Sequence, residues 1–262
     1  MTATEQDLVL AEVRDDVLWL TINREAARNA LNDAVLGRLA TLFDESRSDT
    51  RLRAIVLTGA GTRAFCAGGD MKSSSATFDF DPARPSTSYA DLMRAAGRSD
   101  LPVIARVNGH CLAGGMGLLA MSDMAVAADT ARFGLPEVKV GLFPMQVAAM
   151  LRRVMPERAF AELCYLGESI SADEAKALGL LNHVVPAAEL DSKLAWMLGR
   201  ISAASPTAIR RGKYALRATQ DMTLEQALAY MENQLATLAL TEDAREGLSA
   251  FNQKRAPVWK GR

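Results

Sequence analysis

Phe65-Cys66-Ala67-Gly68-Gly69-Asp70 and Ala113-Gly114-Gly115-Met116-Gly117 are the two stretches on which the reading of this 262-residue chain turns. Each follows a short apolar run, Ala54-Ile55-Val56-Leu57 in the first case and Val103 to Val107 in the second, and runs of that length bounded by turn residues read as buried strands. Consecutive glycines let a ligand approach the backbone closely and let N–H groups point outward, which is what an oxyanion hole requires. Tight turns and close helix packing call for the same residues, so either cluster alone is open to both readings. Met124 to Ala127 is a third buried-strand candidate, and the segment Phe133-Gly134-Leu135-Pro136-Glu137 places a carboxylate downstream of it.

Working outward, Leu8 to Val13 and Val17 to Ile22 are rich in strand formers and flank Arg14-Asp15-Asp16, which predicts a hairpin. Asn32 is placed to cap a helix whose apolar face is Val35, Leu39, Leu42 and Phe43. Strands alternating with helices imply an α/β core with crossover connections. Ser73 to Ser88 is polar, carries two prolines, and reads as a long loop of the kind that serves as a lid or binding loop. Further on, Ser171 with Glu174 forms a capping-box pattern closed by Gly179. Ser205-Pro206 and Thr223 with Gln226 announce two more helices. The sequence divides into a core over residues 1–200 and a helical region over 201–262. In that region Leu224, Leu228, Met231, Leu235 and Leu238 are more apolar surface than a lone appendix can hide.

Thirty basic against thirty-one acidic side chains leave a formal charge of −1, which gives no electrostatic footprint for nucleic acid or a membrane surface, so an anionic ligand needs a local cluster. Cys66, Cys111 and Cys164 are odd in number and lack C-x-x-C spacing, arguing against disulfides and structural zinc and for a reducing, cytoplasmic setting. No apolar run reaches the roughly 18–20 residues of a membrane span, and the first residues do not read as a signal peptide. The two histidines, His110 and His183, are far apart, and no G-x-S-x-G elbow is present, so hydrolase triads and metal sites are disfavoured. Gly59-Ala60-Gly61-Thr62-Arg63-Ala64 matches a loose dinucleotide pattern, but the glycine-rich continuation cannot propagate the helix that pattern needs. A Walker loop fails because Met71, not glycine, precedes Lys72.

Taken together, the blocks resemble the enoyl-CoA hydratase/isomerase, or crotonase, family along nearly the whole chain. They are Asn23-Arg24, Asn29-Ala30-Leu31, Phe65 to Met71, Val107-Asn108-Gly109, Gly114-Gly115, Asp123, Phe133-Gly134, Pro136-Glu137, Ala177 to Leu180, Val184 to Pro186, Ser205-Pro206 and Glu246 to Arg255. The resemblance implies an α/β fold, a spiral of β-β-α turns, whose C-terminal helices assemble homo-trimers or hexamers. It implies an acyl-CoA substrate whose thioester oxygen is held by the N–H groups of Gly69 and Gly114, with Glu137 as acid–base group. Coenzyme A would be part of the substrate and no separate cofactor or metal is expected. Ala67, Gly69, Asp70, Met71, Lys72 and Gly114 map to the acyl-CoA site. Arg24, Arg28 and Lys72 are candidates for the CoA phosphates or, equally, solvated charges.

Three departures bear on the reaction. Hydratases of this kind carry a second acid in the helix after the second glycine cluster, and that position here is Gly117. Glycine cannot orient an attacking water, so a single-carboxylate shuttle through Glu137, moving a double bond from the 3- to the 2-position, is placed ahead of hydration. Glu25 stands where proline is usual after Asn-Arg. Gly141-Leu142-Phe143-Pro144-Met145-Gln146 replaces a glycine-rich stretch, so Phe143 and Met145 either shape the acyl pocket or fill the core. An acyl-CoA-binding protein without catalysis, or another enolate reaction such as decarboxylation or hydrolysis, also remains open.

Overall fold

Asp15 and Asp16 both take positive φ, 48° and 61°, the left-handed pair that a two-residue hairpin turn favours. They join β1 (Val9–Arg14) to β2 (Val17–Ile22), with Val9 opposite Ile22 and Arg14 opposite Val17. The computed structural model describes residues 8–70, 83 and 86–262. Most of the polar loop expected from Ser73, together with Met71 and Lys72, lies outside these residues. Ser88, its expected last residue, instead begins helix α2 (Ser88–Arg98), capped by Thr87.

Beyond the hairpin the large sheet is parallel. β2 is followed across it by β3 (Ala54–Gly59), β5 (Val103–Val107), β7 (Met124–Ala128) and β10 (His183–Val185), giving the order β1-β2-β3-β5-β7-β10. A second sheet holds four three-residue strands, β4 (Ala64–Cys66), β6 (His110–Leu112), β8 (Arg132–Gly134) and β9 (Ser169–Ser171), in that order, the last antiparallel. Successive turns therefore lay one strand in the large sheet and the next in the small one before a helix closes the turn: β3-β4-α2, then β5-β6-α3 (Gly114–Ala120). This is the spiral of β-β-α turns that the resemblance implies.

All six residues of β3 are buried, because both faces of the large sheet are covered. On one face Ile55, Leu57, Val103 and Ala105 meet Leu36, Leu39 and Phe43 of α1 (Asp33–Ser46). Asn32 caps that helix by accepting from the Val35 N–H at 3.0 Å. On the other face Ala54, Val56, Ile104 and Val126 meet Leu190, Leu194, Met197 and Ile201 of α7 (Leu190–Ser202). Between β8 and α7 come α4 (Met145–Leu151), α5 (Glu157–Leu166) and α6 (Ala172–Ala177). The last starts in the predicted Ser171/Glu174 capping box and is followed by Gly179 at φ 86°.

Helix α8 (Pro206–Ala218) is tied back to the core by its cations. Arg210 donates to Thr50 O and Leu52 O, and Lys213 donates to Leu101 O and, at 2.6 Å, to Asp123 Oδ2. Asp123 also accepts from the Val103 N–H at 2.7 Å, which explains an acid at that position. Helices α9 (Leu224–Leu238) and α10 (Glu242–Asn252) carry an outward apolar surface. Leu224, Leu228, Leu235 and Leu248 are exposed, as is Phe251 at 81%.

The end of the chain folds onto Asp243, which is 1% exposed. Its carboxylate accepts from Ser205 Oγ (2.8 Å), the Lys260 N–H (2.7 Å), the Gly261 N–H (3.0 Å) and the Thr207 N–H (3.4 Å). Burial by itself pushes this carboxyl up, but the bonds from Lys260, Ser205, Thr207 and Gly261 outweigh it and hold the group below its ordinary range. Asp243→Ala is expected to cost about 3 kcal/mol at pH 7, since hydrogen bonds to a charged group are worth about 1.5–3 kcal/mol and several part-buried donors lose their shared acceptor. A carboxyl lowered in the native state contributes stability above its unfolded pKa of about 3.9 and loses it as pH falls through the native value. Urea midpoints of wild type and variant should therefore converge in acid, and equal midpoints at pH 7 would contradict the latch.

Candidate active site

The first glycine cluster leaves β4 and is caught by the chain that follows β2. Leu31 and Gly69 form a parallel bridge in which the Leu31 N–H donates to Gly68 O and the Asp70 N–H donates to Leu31 O, both at 2.7 Å. Such a bridge uses the groups on either side of Gly69 and turns Gly69's own N–H to the opposite side. The second cluster opens α3, and the first N–H of a helix has no acceptor within it. Ala113 reaches that helix at φ 50°, ψ −125°, a sparsely populated conformation for a residue with a Cβ and one that stores on the order of 1–3 kcal/mol. Its N–H is held by Gly134 O at 2.9 Å.

The two clusters touch. A Cβ on Gly68 would lie 2.5 Å from the Ala113 Cβ and 3.2 Å from Gly114 N, and one on Gly115 would lie 2.5 Å from Cys66 O. Close packing thus accounts for Gly68 and Gly115. Gly114 is less confined, its nearest neighbours to such an atom being Leu31 Cδ1 and Tyr89 Cε2 at 3.4 Å. The Gly69 and Gly114 N–H groups are left without backbone acceptors among the described residues.

Glu137 stands in a single 3₁₀ turn, Pro136–Val140, started by the proline. Its side chain is half-buried, and Oε2 is buried without a hydrogen-bond partner among the described residues. Burial pushes its carboxyl above the usual range, opposed in part by its own backbone N–H. A carboxylate kept poorly solvated and unpaired is suited to taking and returning a proton. Its charge is also felt by the Cys164 thiol and the Tyr89 phenol.

Tyr89, in the first turn of α2, is the site residue that the sequence reading missed. Its hydroxyl donates to Gly114 O at 2.6 Å. It also stands so near Gly117 that a Cβ there would meet the hydroxyl oxygen well inside van der Waals contact. Nothing in the local sequence signals this, because Tyr89 lies in a helix whose neighbours are set by the tertiary fold.

The remaining candidates are dispersed. Arg24 donates to Ala30 O (2.5 Å) and pairs with Asp70 Oδ2 (2.7 Å), both side chains being mostly buried, so its guanidinium braces the first cluster. Ala67 is half-buried and its N–H donates to Arg28 O. Arg28 lines a groove of about 420 Å³ with Thr62, Arg63, Gly109, His110 and Thr130, apart from Glu137 and the glycine clusters. Phe143 (37% exposed) and Met145 (72%) are not core fillers. With Val138, Val140 and Leu142 they form an exposed apolar rim after Glu137, and the Phe143 ring lies 6.3 Å from that of Tyr165.

Asn108 and Asn29 bind the Gly59–Gly61 turn, Asn108 through Gly59 N and Gly61 O and Asn29 through Ala60 O. That turn runs into β4 rather than a helix, so the dinucleotide pattern is a structural corner. Among the described residues no cluster of three His, Cys, Asp or Glu side chains could hold a metal, and no helix is long and apolar enough to cross a membrane.

A family profile described as Enoyl-CoA hydratase/isomerase matches residues 12–262. The chain is 38% identical to 2,3-dehydroadipyl-CoA hydratase of Escherichia coli over 253 residues, covering 94% of this chain and 96% of that one. It is 33% identical to (E)-benzylidenesuccinyl-CoA hydratase of Thauera aromatica over 261 residues, 97% and 99% respectively. A crystal structure of enoyl-CoA hydratase from Mycobacterium smegmatis superposes with a TM-score of 0.88 at 37% identity, over 96% of this chain and 98% of the other.

The unpaired Glu137 oxygen has a consequence for stability. A carboxyl raised in the native state binds protons more tightly there than in the unfolded chain, so its stabilising effect is present in acid and is lost as pH rises through the native pKa. Glu137→Gln is expected to raise the thermal midpoint at pH 7 and to lose that advantage near pH 4. A midpoint lowered at pH 7 would mean that the carboxylate has a structural partner.

Proposed function

The chain belongs to the enoyl-CoA hydratase/isomerase family, and from that premise we propose that it moves the double bond of a 3-enoyl-CoA to the 2-position through a thioester enolate. The observation that carries this reading is the buried, partnerless Oε2 of Glu137, with glycine at the position where a second acid would stand. The Glu137 carboxylate removes a proton from C2, and the C–H electron pair flows into the thioester, leaving negative charge on its oxygen. The Gly69 and Gly114 N–H groups donate to that oxygen, each worth on the order of a hundredfold or more in rate. The protonated Glu137 then delivers the same proton to C4, and the double bond forms between C2 and C3.

One carboxylate completes this cycle, with the Gly69 and Gly114 N–H groups holding the oxygen and no second acid required. The exposed apolar rim of Phe143 and Met145 is offered to the acyl end. Asp70, steadied by Arg24, borders the thioester end, Ala67, whose N–H is held by the Arg28 carbonyl, lies toward the nucleotide end, and Lys72 and Arg28 are the cations proposed for the CoA phosphates. Hydration of a 2-enoyl-CoA is the second reading, favoured by the hydratase names of the relatives. Product analysis with 3-enoyl- and 2-enoyl-CoA side by side distinguishes the two, and binding without turnover of either would point to a non-catalytic protein.

Two outcomes are expected. Glu137→Gln keeps the side chain's shape while removing proton transfer, so turnover should fall by about a hundredfold to ten-thousandfold with CoA affinity retained. A loss of a few-fold would assign Glu137 a packing role. The exposed leucines of α9 and α10, with Phe251, support a homo-trimer or hexamer. Light scattering at micromolar concentration should report a multiple of the 28.2 kDa chain, and a monomer would contradict the assembly.

A further inference from the structure

We propose that Tyr89 determines the outcome of the reaction, its ring filling the room beside Gly117 in which a second acid, and the water that acid would hold, must stand. The inference rests on the Glu137 enolate reading and deepens it. A Cβ on Gly117 would lie 3.1 Å from Tyr89 Cζ and 3.5 Å from Cε1, with the hydroxyl oxygen nearer still. Any side chain at 117 must therefore displace the tip of Tyr89. That tip is anchored, because the hydroxyl donates to Gly114 O at 2.6 Å.

The ring is also held from behind. Tyr89 belongs to the first turn of α2, and the cap of that turn, Thr87 Oγ1, accepts from the Ala90 N–H at 3.3 Å and from Gln146 Nε2 of α4 at 2.5 Å. The start of α2 is thereby linked to the segment that follows Glu137, so α2, α3 and the Glu137 turn are braced around one space.

The hydroxyl does not replace the missing acid chemically. Its proton is committed to a main-chain carbonyl, and desolvation, with smaller contributions from Cys66, Cys111 and Glu137, keeps the phenol protonated well above its ordinary range. A neutral phenol whose proton is already donated is no general base near pH 7. What Tyr89 supplies is volume, its half-buried side chain standing against Gly117 with the hydroxyl bound to Gly114 O. With that volume filled, the enolate has the Glu137 proton as its partner and no water lodged at C3, and reprotonation at C4 is the exit left. Gly117 follows as a requirement of Tyr89, since the two residues share one space.

The test compares wild type, Tyr89→Phe, Tyr89→Ala and Tyr89→Leu on 3-enoyl- and 2-enoyl-CoA. It reads the ratio of hydration to double-bond migration, together with exchange of the α-proton of a saturated acyl-CoA in D₂O. The exchange monitors Glu137 and the two N–H donors alone, and the ratio is unaffected by a uniform loss of folded protein. Tyr89→Phe should keep the wild-type ratio within about twofold. Tyr89→Ala should raise hydration relative to migration by tenfold or more while α-exchange persists, and further when combined with Gly117→Glu. Gly117→Glu alone should gain no hydration. Tyr89→Leu, which keeps apolar packing but lacks the distal ring atoms, should shift the ratio in the same direction and carries the test if Tyr89→Ala does not fold. An unchanged ratio in a folded, exchanging Tyr89→Ala or Tyr89→Leu overturns the role of Tyr89. So does a Tyr89→Phe that shifts the ratio as far as they do. Wild type that exchanges α-protons and hydrates without migrating a double bond overturns the isomerase reading instead.

Discussion

Contact between Gly68 and the Ala113–Gly114 corner is the constraint from which the rest of the site follows. Two successive turns of the spiral end in neighbouring strands, β4 and β6, of the small sheet. Neighbouring strands lie about 4.8 Å apart, and the two proposed donors follow the ends of such a pair. Two N–H groups at that spacing can both reach a single oxygen, because each spans about 2.9 Å to its acceptor. The geometry survives only if no side chain stands between the corners, and a Cβ on Gly68 would already be 2.5 Å from that of Ala113. Gly68 and Gly115 thus serve packing, which leaves Gly69 and Gly114 to the proposed donor role, and the strained φ of Ala113 is held by the same closure.

Much of the fold was legible because its signals are local. Asp15-Asp16, Asn32, the Ser171/Glu174 and Thr223/Gln226 boxes and Ser205-Pro206 each satisfy backbone groups within a few residues, and each forms as read. The strands of the small sheet were not legible as strands, since three residues are too few to display a period. Helix α7 follows Glu189, an N-cap position that makes no side-chain cap, so its apolar stripe lacked a start signal.

At the site, Glu137 and both glycine clusters could be singled out from residue type and position, whereas their environments could not. Arg24 was a phosphate candidate by its position in the resemblance, and the partner that occupies it, Asp70, lies 46 residues away. Phe143 and Met145 read equally as core or pocket, and exposure separates the two. Tyr89 and Gly117 occupy one volume although 28 positions separate them, a relation that no single sequence displays.

The three cysteines, Cys66, Cys111 and Cys164, are all buried and unpaired. Burial pushes Cys66 up to about 12 and Cys164 to about 11, and raises Cys111 well above its ordinary range. Thiolate is the form that reacts with alkylating agents and oxidants, so the closed molecule offers them almost none. Cys66 packs directly against Gly115, in the contact between the two glycine corners. Oxidation or alkylation of these thiols therefore requires that the surrounding core first expose them.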